Sequence, residues 1–224
     1  MEQNSKQQIH PLQYQFEQQV KSGNVAPETS WGKKVNAYNI HIRFSEHEQL
    51  QLERLQAKIE ASTSEALLKI PREAIHISAL WIVAALVDYG APRDYVWKTN
   101  SNECLKIFNS IVPTLPAFTV YFSHLVITPS AVILVGQDDG QMASLRQTLK
   151  SSLPLPHQTN NNQEIIHTTL FRFKEKLKEP LKFWDLVHEQ MLKVSTRVQE
   201  LEIRREVTYP SLESELVCKI ALQA

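Results

Sequence analysis

"AIHISAL", residues 74–80, and "IIHTTLF", residues 165–171, decide how this chain is read. Each sets a histidine inside an apolar run patterned as a strand, with a hydroxyl residue two positions later. Side chains alternate across a strand, so residues two apart share a face. His76 and Ser78 therefore point one way, and Ile75, Ile77 and Ala79 the other. Ninety-one residues further on, His167 and Thr169 repeat the arrangement opposite Ile166, Thr168 and Leu170. The repetition predicts two strands that bring their imidazole–hydroxyl pairs to one site.

The flanking sequence supplies an α+β frame for those strands. "AYNIHIRF" (37–44) alternates as a strand. Ser45 and Glu48 form a capping box opening a helix whose stripe is Leu52, Leu55 and Ile59. "GAPRDYVWKTNSN" (90–102) reads as a loop leading to a helix over 103–111. "AFTVYFSHLVITP" and "AVILVGQ" form a hairpin about Pro129–Ser130, followed by a helix carrying Met142, Leu145 and Leu149. After a polar loop (153–163) and the second motif strand, the pattern predicts a helix over 180–196. The C-terminal strands "RVQELEIRREV" and "ELVCKIAL" follow. Tight hairpins argue for two mainly antiparallel sheets with flanking helices. Residues 1–36 are expected as an N-terminal extension with a short amphipathic helix (Leu12, Phe16, Val20), and residues 37–224 as one bilobal domain.

Composition narrows the function. The chain has 224 residues, and 24 Lys plus Arg balance 24 Asp plus Glu. No global basic field marks duplex DNA as a partner, although a small nucleotide or an RNA end needs only a local cluster. Cys104 and Cys218 have no CxxC spacing, which suits a reducing compartment. The start has no signal-peptide core and no stretch approaches a membrane span, so a cytoplasmic, soluble monomer is expected. Five glycines include neither GxGxxG nor GxxxxGK.

Two imidazoles in one cleft suit in-line attack at phosphorus, which needs a base on the entering oxygen and an acid on the leaving oxygen. With ordinary pKa values near 6.5 the pair would predict a bell-shaped profile between about pH 5.5 and 8. The hydroxyls would donate to the non-bridging oxygens. A zinc site is the competing sharp reading, but HExxH is absent, the cysteines are remote, and Ser and Thr are poor zinc ligands. No GxSxG elbow supports a serine nucleophile. A module that binds a nucleotide or a partner without turnover is the alternative of another class. The other six histidines, His41 among them, have no such companion and read as structural or solvated. Tyr38 and Trp97 are candidate substrate contacts, since an aromatic there could stack on a base. Arg172 is a further candidate substrate contact, although by strand parity it falls on the face opposite His167, where a solvated or salt-bridged arginine is the alternative to a phosphate ligand.

These residues resemble the two-histidine (2H) phosphoesterase superfamily, which includes bacterial LigT-like RNA ligase/cyclic phosphodiesterase proteins. "HTTLFR" is similar to the family's second motif, with Arg172 as its basic residue, and the likeness covers residues 37–222. The central and C-terminal hairpins resemble the family's own. The resemblance implies a bilobal fold with a pseudo-twofold axis and a site between the lobes that uses no metal or cofactor. It makes His76 and His167 the acid/base pair and Ser78 and Thr169 the phosphate ligands. The implied substrate is a 2′,3′-cyclic phosphate or a 2′–5′ linkage of a nucleotide or RNA end.

Overall fold

A computed structural model describes residues 11–224. Nine strands form two sheets in which every paired strand runs antiparallel. The first sheet holds β1 (Lys34–Arg43), β3 (His76–Val83), β8 (Glu200–Thr208) and β9 (Glu213–Ala221), in the order β3-β1-β8-β9. The second holds β2 (Leu67–Lys69), β4 (Phe118–Ile127), β5 (Ala131–Gln137), β6 (Ile166–Phe173) and β7 (Val194–Val198), in the order β2-β6-β5-β4-β7. The helices are α1 (Pro11–Lys21), α2 (Glu46–Ser62), α3 (Arg93–Ile111), α4 (Gln141–Ser152) and α5 (Pro180–His188). The fold is α+β, as expected.

The two halves match in plan. β1-α2-β3-α3 places its motif strand β3 beside β1, and β5-α4-β6-α5 places β6 beside β5. After α3 the chain crosses to the second sheet as β4; after α5 it supplies β7 to that sheet and returns to the first as β8. The first half thus lends β2, and the chain after it β4, to the second sheet, while β8 and β9 return to the first, which holds the motif strands against a common boundary.

Local signals explain most of these elements. The capping box is formed: Glu48 N donates to Ser45 Oγ at 3.3 Å and Ser45 N to Glu48 Oε2 at 2.7 Å. Leu52, Leu55 and Ile59 are buried beneath α2, and Met142, Leu145 and Leu149 beneath α4. The loop expected over 90–102 is instead largely helix. Pro92 precedes α3 with φ fixed near the helical value, and Asp94 occupies its first turn. The helix expected over 180–196 stops at His188, because Val194, Thr196 and Val198 alternate with exposed residues and are buried as β7. Two-residue periodicity won over helical spacing there.

The N-terminal segment, expected to lie outside the domain, is packed into it from residue 12 onward. α1 rests on β4 and α5, with Val20 and Val25 buried in the main core. Ala26 N donates to Pro129 O at 2.7 Å and Glu28 N to Phe173 O at 2.8 Å, so this segment lines the end of the β4–β5 hairpin and of β6. Residues 1–10 fall outside the described part. Among the described residues no helix is long and apolar enough to cross a membrane.

Candidate active site

The motif strands carry the same irregularity at the same place. In β3, Ser78 pairs with His41 and Leu80 with Ile40, leaving Ala79 as an extra residue. In β6, Thr169 pairs with Ile133 and Phe171 with Val132, leaving Leu170 extra. One inserted residue reverses the alternation beyond it. The face presenting His76 and Ser78 therefore continues to Trp81, and the face presenting His167 and Thr169 continues to Arg172. This corrects the simple parity reading of Arg172. Both strands share the burial pattern in which the histidine, the hydroxyl residue and the Trp or Arg stay partly exposed.

These faces meet at a cavity of about 510 Å³ lined by His76, Ser78, Trp81, His167, Thr169 and Arg172. Asn39 of β1, Glu206 of β8, Gln163 of the approach to β6, and Asn160, Tyr209 and Ser211 complete the polar lining. Leu86, Val87 and Ile70 contribute apolar wall. Tyr38 and Trp97 do not line it. They stack on each other at 4.4 Å, and the Tyr38 hydroxyl donates to Asp94 Oδ1 at 2.7 Å. The reason is alternation along β1: Tyr38 shares the buried apolar face with Ile40 and Ile42, whereas Asn39 turns to the cavity. The two aromatics thus anchor α3 to the first sheet.

His76 is held in a defined tautomer. Its Nδ1 lies 2.7 Å from the Ala74 carbonyl, an acceptor only, so Nδ1 carries the proton. Nε2 is then the acceptor for the Ser78 hydroxyl at 3.2 Å. His167 repeats the relation in weaker form. Its Nδ1 is drawn by the Ile165 carbonyl, again two residues back, without closing a full hydrogen bond. Both imidazoles are lowered to about 4, burial being the largest cause. Positive charge contributes to that drop, from Arg43, His167 and Arg204 on His76, and from Arg146 and Arg172 on His167. Each carbonyl contact opposes the drop by stabilising the imidazolium.

Four supporting residues escaped the sequence reading. His41 is fully buried and stacks face to face on His76, with ring centroids 3.7 Å apart. Neither of its ring nitrogens has a hydrogen-bond partner, and burial keeps its pKa well below the usual histidine value. The alternation of "NIHIR" already set Asn39, His41 and Arg43 on one face, a signal that was available.

Arg146 of α4 is the second. It donates to Ser78 O (3.0 Å) and Ala79 O (3.2 Å) on β3, and to Gln163 O (3.1 Å) and Ile165 O (3.0 Å) ahead of β6. One guanidinium thus ties the bulge of β3 to the segment that leads into β6. Asn161 adds to this stitching: its amide pairs with Trp81 N and O at 2.9 and 2.8 Å on the outer edge of β3. Gln163 is the fourth, its side-chain amide buried in the cavity wall with no partner for either atom. No sequence signal marked Arg146 or Gln163, because their places depend on long-range packing and, for Arg146, on the bulged backbone of β3.

Among the described residues no three of His, Cys, Asp and Glu converge as a metal-ligand set. The site instead offers two imidazoles, two hydroxyls and nearby guanidinium groups around one space.

No family model matches the chain, and no curated protein matches it in sequence. Solved structures do match in fold. A conserved Agrobacterium tumefaciens protein of unknown function is 14% identical with a TM-score of 0.63, over 89% of this chain and 96% of its own. A Thermus thermophilus protein is 14% identical with a TM-score of 0.60, over 84% and 98%. Escherichia coli LigT is 12% identical with a TM-score of 0.58, over 86% of this chain and all of its own. LigT has also been solved with phosphate and with 3′-AMP. The chain has the LigT fold along most of its length.

Proposed function

We propose that this chain is a 2H phosphoesterase, a metal-independent phosphodiesterase that opens a 2′,3′-cyclic phosphate or cleaves a 2′–5′ linkage of a nucleotide or RNA end. The observation that carries the reading is the paired one. Strands from different sheets, each bearing H-x-[ST] and each bulged at the next residue, face one cavity. The complexes of LigT with phosphate and 3′-AMP support a ligand of this class at this fold.

In the hydrolytic direction a water oxygen attacks phosphorus and the bond from phosphorus to one ribose oxygen breaks. His167 Nε2 takes the water's proton, and His76 Nε2 gives a proton to the departing ribose oxygen. The closed Nδ1–Ala74 hydrogen bond favours an imidazolium at His76 more than the looser contact does at His167. Arginines favour the neutral form of both rings, Arg146 and Arg172 at His167 and Arg43 and Arg204 at His76, so the Ala74 hydrogen bond is what separates the two roles. Ser78 and Thr169 donate to the non-bridging oxygens, Ser78 turning from His76 Nε2 once that atom is protonated. Arg172, on the same face beyond the bulge, adds positive charge for the phosphate or the next one along an RNA end.

The test is a panel of 2′,3′-cyclic nucleotides and 2′–5′ dinucleotides assayed with chelator present. Turnover of at least one class is expected. Turnover that vanishes on chelation and returns with zinc would instead establish a metal-dependent hydrolase. Ligand binding without turnover across the panel would establish a binding module.

A further inference from the structure

One end of the cavity is furnished with hydrogen-bond acceptors that the phosphate chemistry does not use. Asn39 and Glu206 both line it, and each is only 4% exposed. Asn39 Nδ2 donates to Glu206 Oε2 at 2.9 Å, and Ser211 N donates to Glu206 Oε1 at 2.7 Å. These bonds fix the carboxyl and orient the Asn39 amide, so that Asn39 Oδ1 is left buried with no donor. An amide oxygen buried without a partner is destabilising and asks for a donor. The adjoining carboxyl has spare lone pairs on both oxygens. An anion is a poor occupant for such a place. Burial pushes the Glu206 carboxyl up to about 7, a sign of how little its charge is compensated even with Asn39, Ser211 and Arg172 near it.

The walls beside these acceptors indicate what carries the donor. Trp81, Ala84, Ala85, Leu86, Val87 and Pro210 give the same cavity an aromatic and aliphatic lining. A sugar hydroxyl would satisfy the acceptors but not the apolar wall. A flat heteroaromatic ring with an N–H₂ group on its rim satisfies both.

We infer that Asn39 and Glu206 form a base-reading subsite that accepts a nucleobase bearing an exocyclic amine and disfavours one that lacks it. The amine N–H groups donate to Asn39 Oδ1 and the Glu206 carboxyl while the ring lies against the apolar wall. Uracil and hypoxanthine offer a carbonyl or a bare C–H where cytosine and guanine carry the amine, leaving buried acceptors unpaired. Such a mismatch separates ligands more sharply than shape alone does. The inference rests on the nucleotide reading of the cavity.

Calorimetric titration with nucleoside 2′-monophosphates tests it without requiring turnover. Cytidine is compared with uridine, and guanosine with inosine, each pair differing at the amino position. The amino-bearing member should bind about 10- to 100-fold more tightly to the wild-type protein. Glu206→Gln and Asn39→Ala, with folding checked by circular dichroism, should each narrow the ratio to within about threefold. Equal affinity within each wild-type pair, or no binding of any of the four, overturns the subsite. So does a ratio that survives in both folded variants. A clear ratio with no hydrolysis of cyclic substrates would keep the subsite and remove the phosphodiesterase reading. Hydrolysis that ignores the base would do the reverse.

Discussion

Both imidazoles of the proposed pair are held neutral in the free protein, and this displaces the pH profile from that of ordinary histidines. Burial lowers His76 and His167 to about 4, with guanidinium groups adding to the drop. The kcat/KM profile reports the free enzyme and kcat reports the complex. One ring must be protonated and the other neutral, so kcat/KM should follow a bell with its maximum below about pH 5.5. That lies to the acid side of the window drawn from an ordinary histidine pKa. A phosphodiester monoanion then changes the balance. Seated about 5 Å from a ring, at an effective dielectric of about 20, it attracts an imidazolium by roughly 3 kcal/mol. That energy raises the pKa by roughly 2 units. The sign is upward, because the anion favours the charged form that burial disfavours. The kcat maximum should therefore lie about two pH units above that of kcat/KM, with limits belonging to the coupled pair. Steady-state kinetics on a 2′,3′-cyclic nucleotide, at constant ionic strength from about pH 3.5 to 9, measures both curves. A kcat/KM maximum at or above pH 7, or superimposed profiles, would refute the electrostatic reasoning.

His41 supports His76 by its ring face and gains nothing from its two buried, unpaired nitrogens. His41→Phe should keep the stack, remove the unsatisfied atoms and stabilise the protein by about 1–3 kcal/mol. At this size each kcal/mol raises Tm by about 2–4 °C, so a lowered melting temperature would show that those nitrogens are paired in solution. Deletion of residues 1–30 removes α1 and exposes the surface it covers. Losing the buried Val20 and Val25 alone costs about 3–6 kcal/mol. An insoluble product or a fall in Tm of more than about 6 °C is expected, and an unchanged melting curve would return the segment to the status of an appendage. Ser78→Ala and Thr169→Val should lower kcat by about 10²–10³-fold if their hydroxyls bind the phosphate oxygens, with little change in Tm. Wild-type turnover in both would remove that role.

The legible part of this protein was local. Strand parity set His76 beside Ser78 and His167 beside Thr169, and the Ser45–Glu48 box and the Pro129–Ser130 hairpin read directly from residue type. What the sequence concealed was produced by backbone geometry and long-range packing. The bulges at Ala79 and Leu170 leave no mark in composition, yet they bring Trp81 and Arg172 onto the cavity face. Tyr38 and Trp97 are aromatics near the right strands, but alternation along β1 turns them away. The N-terminal helix was visible as a stripe, and only the second sheet shows what that stripe covers. Arg146 looks like an ordinary helix-surface arginine until the carbonyls of β3 and of the segment leading into β6 are placed around it.

The central claim is that His76 and His167 act together on one phosphodiester. The most direct measurement is kcat on a 2′,3′-cyclic nucleotide for the wild type, His76→Ala, His167→Ala and the double variant, with chelator throughout. Each single variant should lose about 10³-fold or more, and the double variant should be scarcely slower than either, since acid and base work as a unit. Near wild-type rates in either folded single variant, or losses that multiply in the double, would contradict the account.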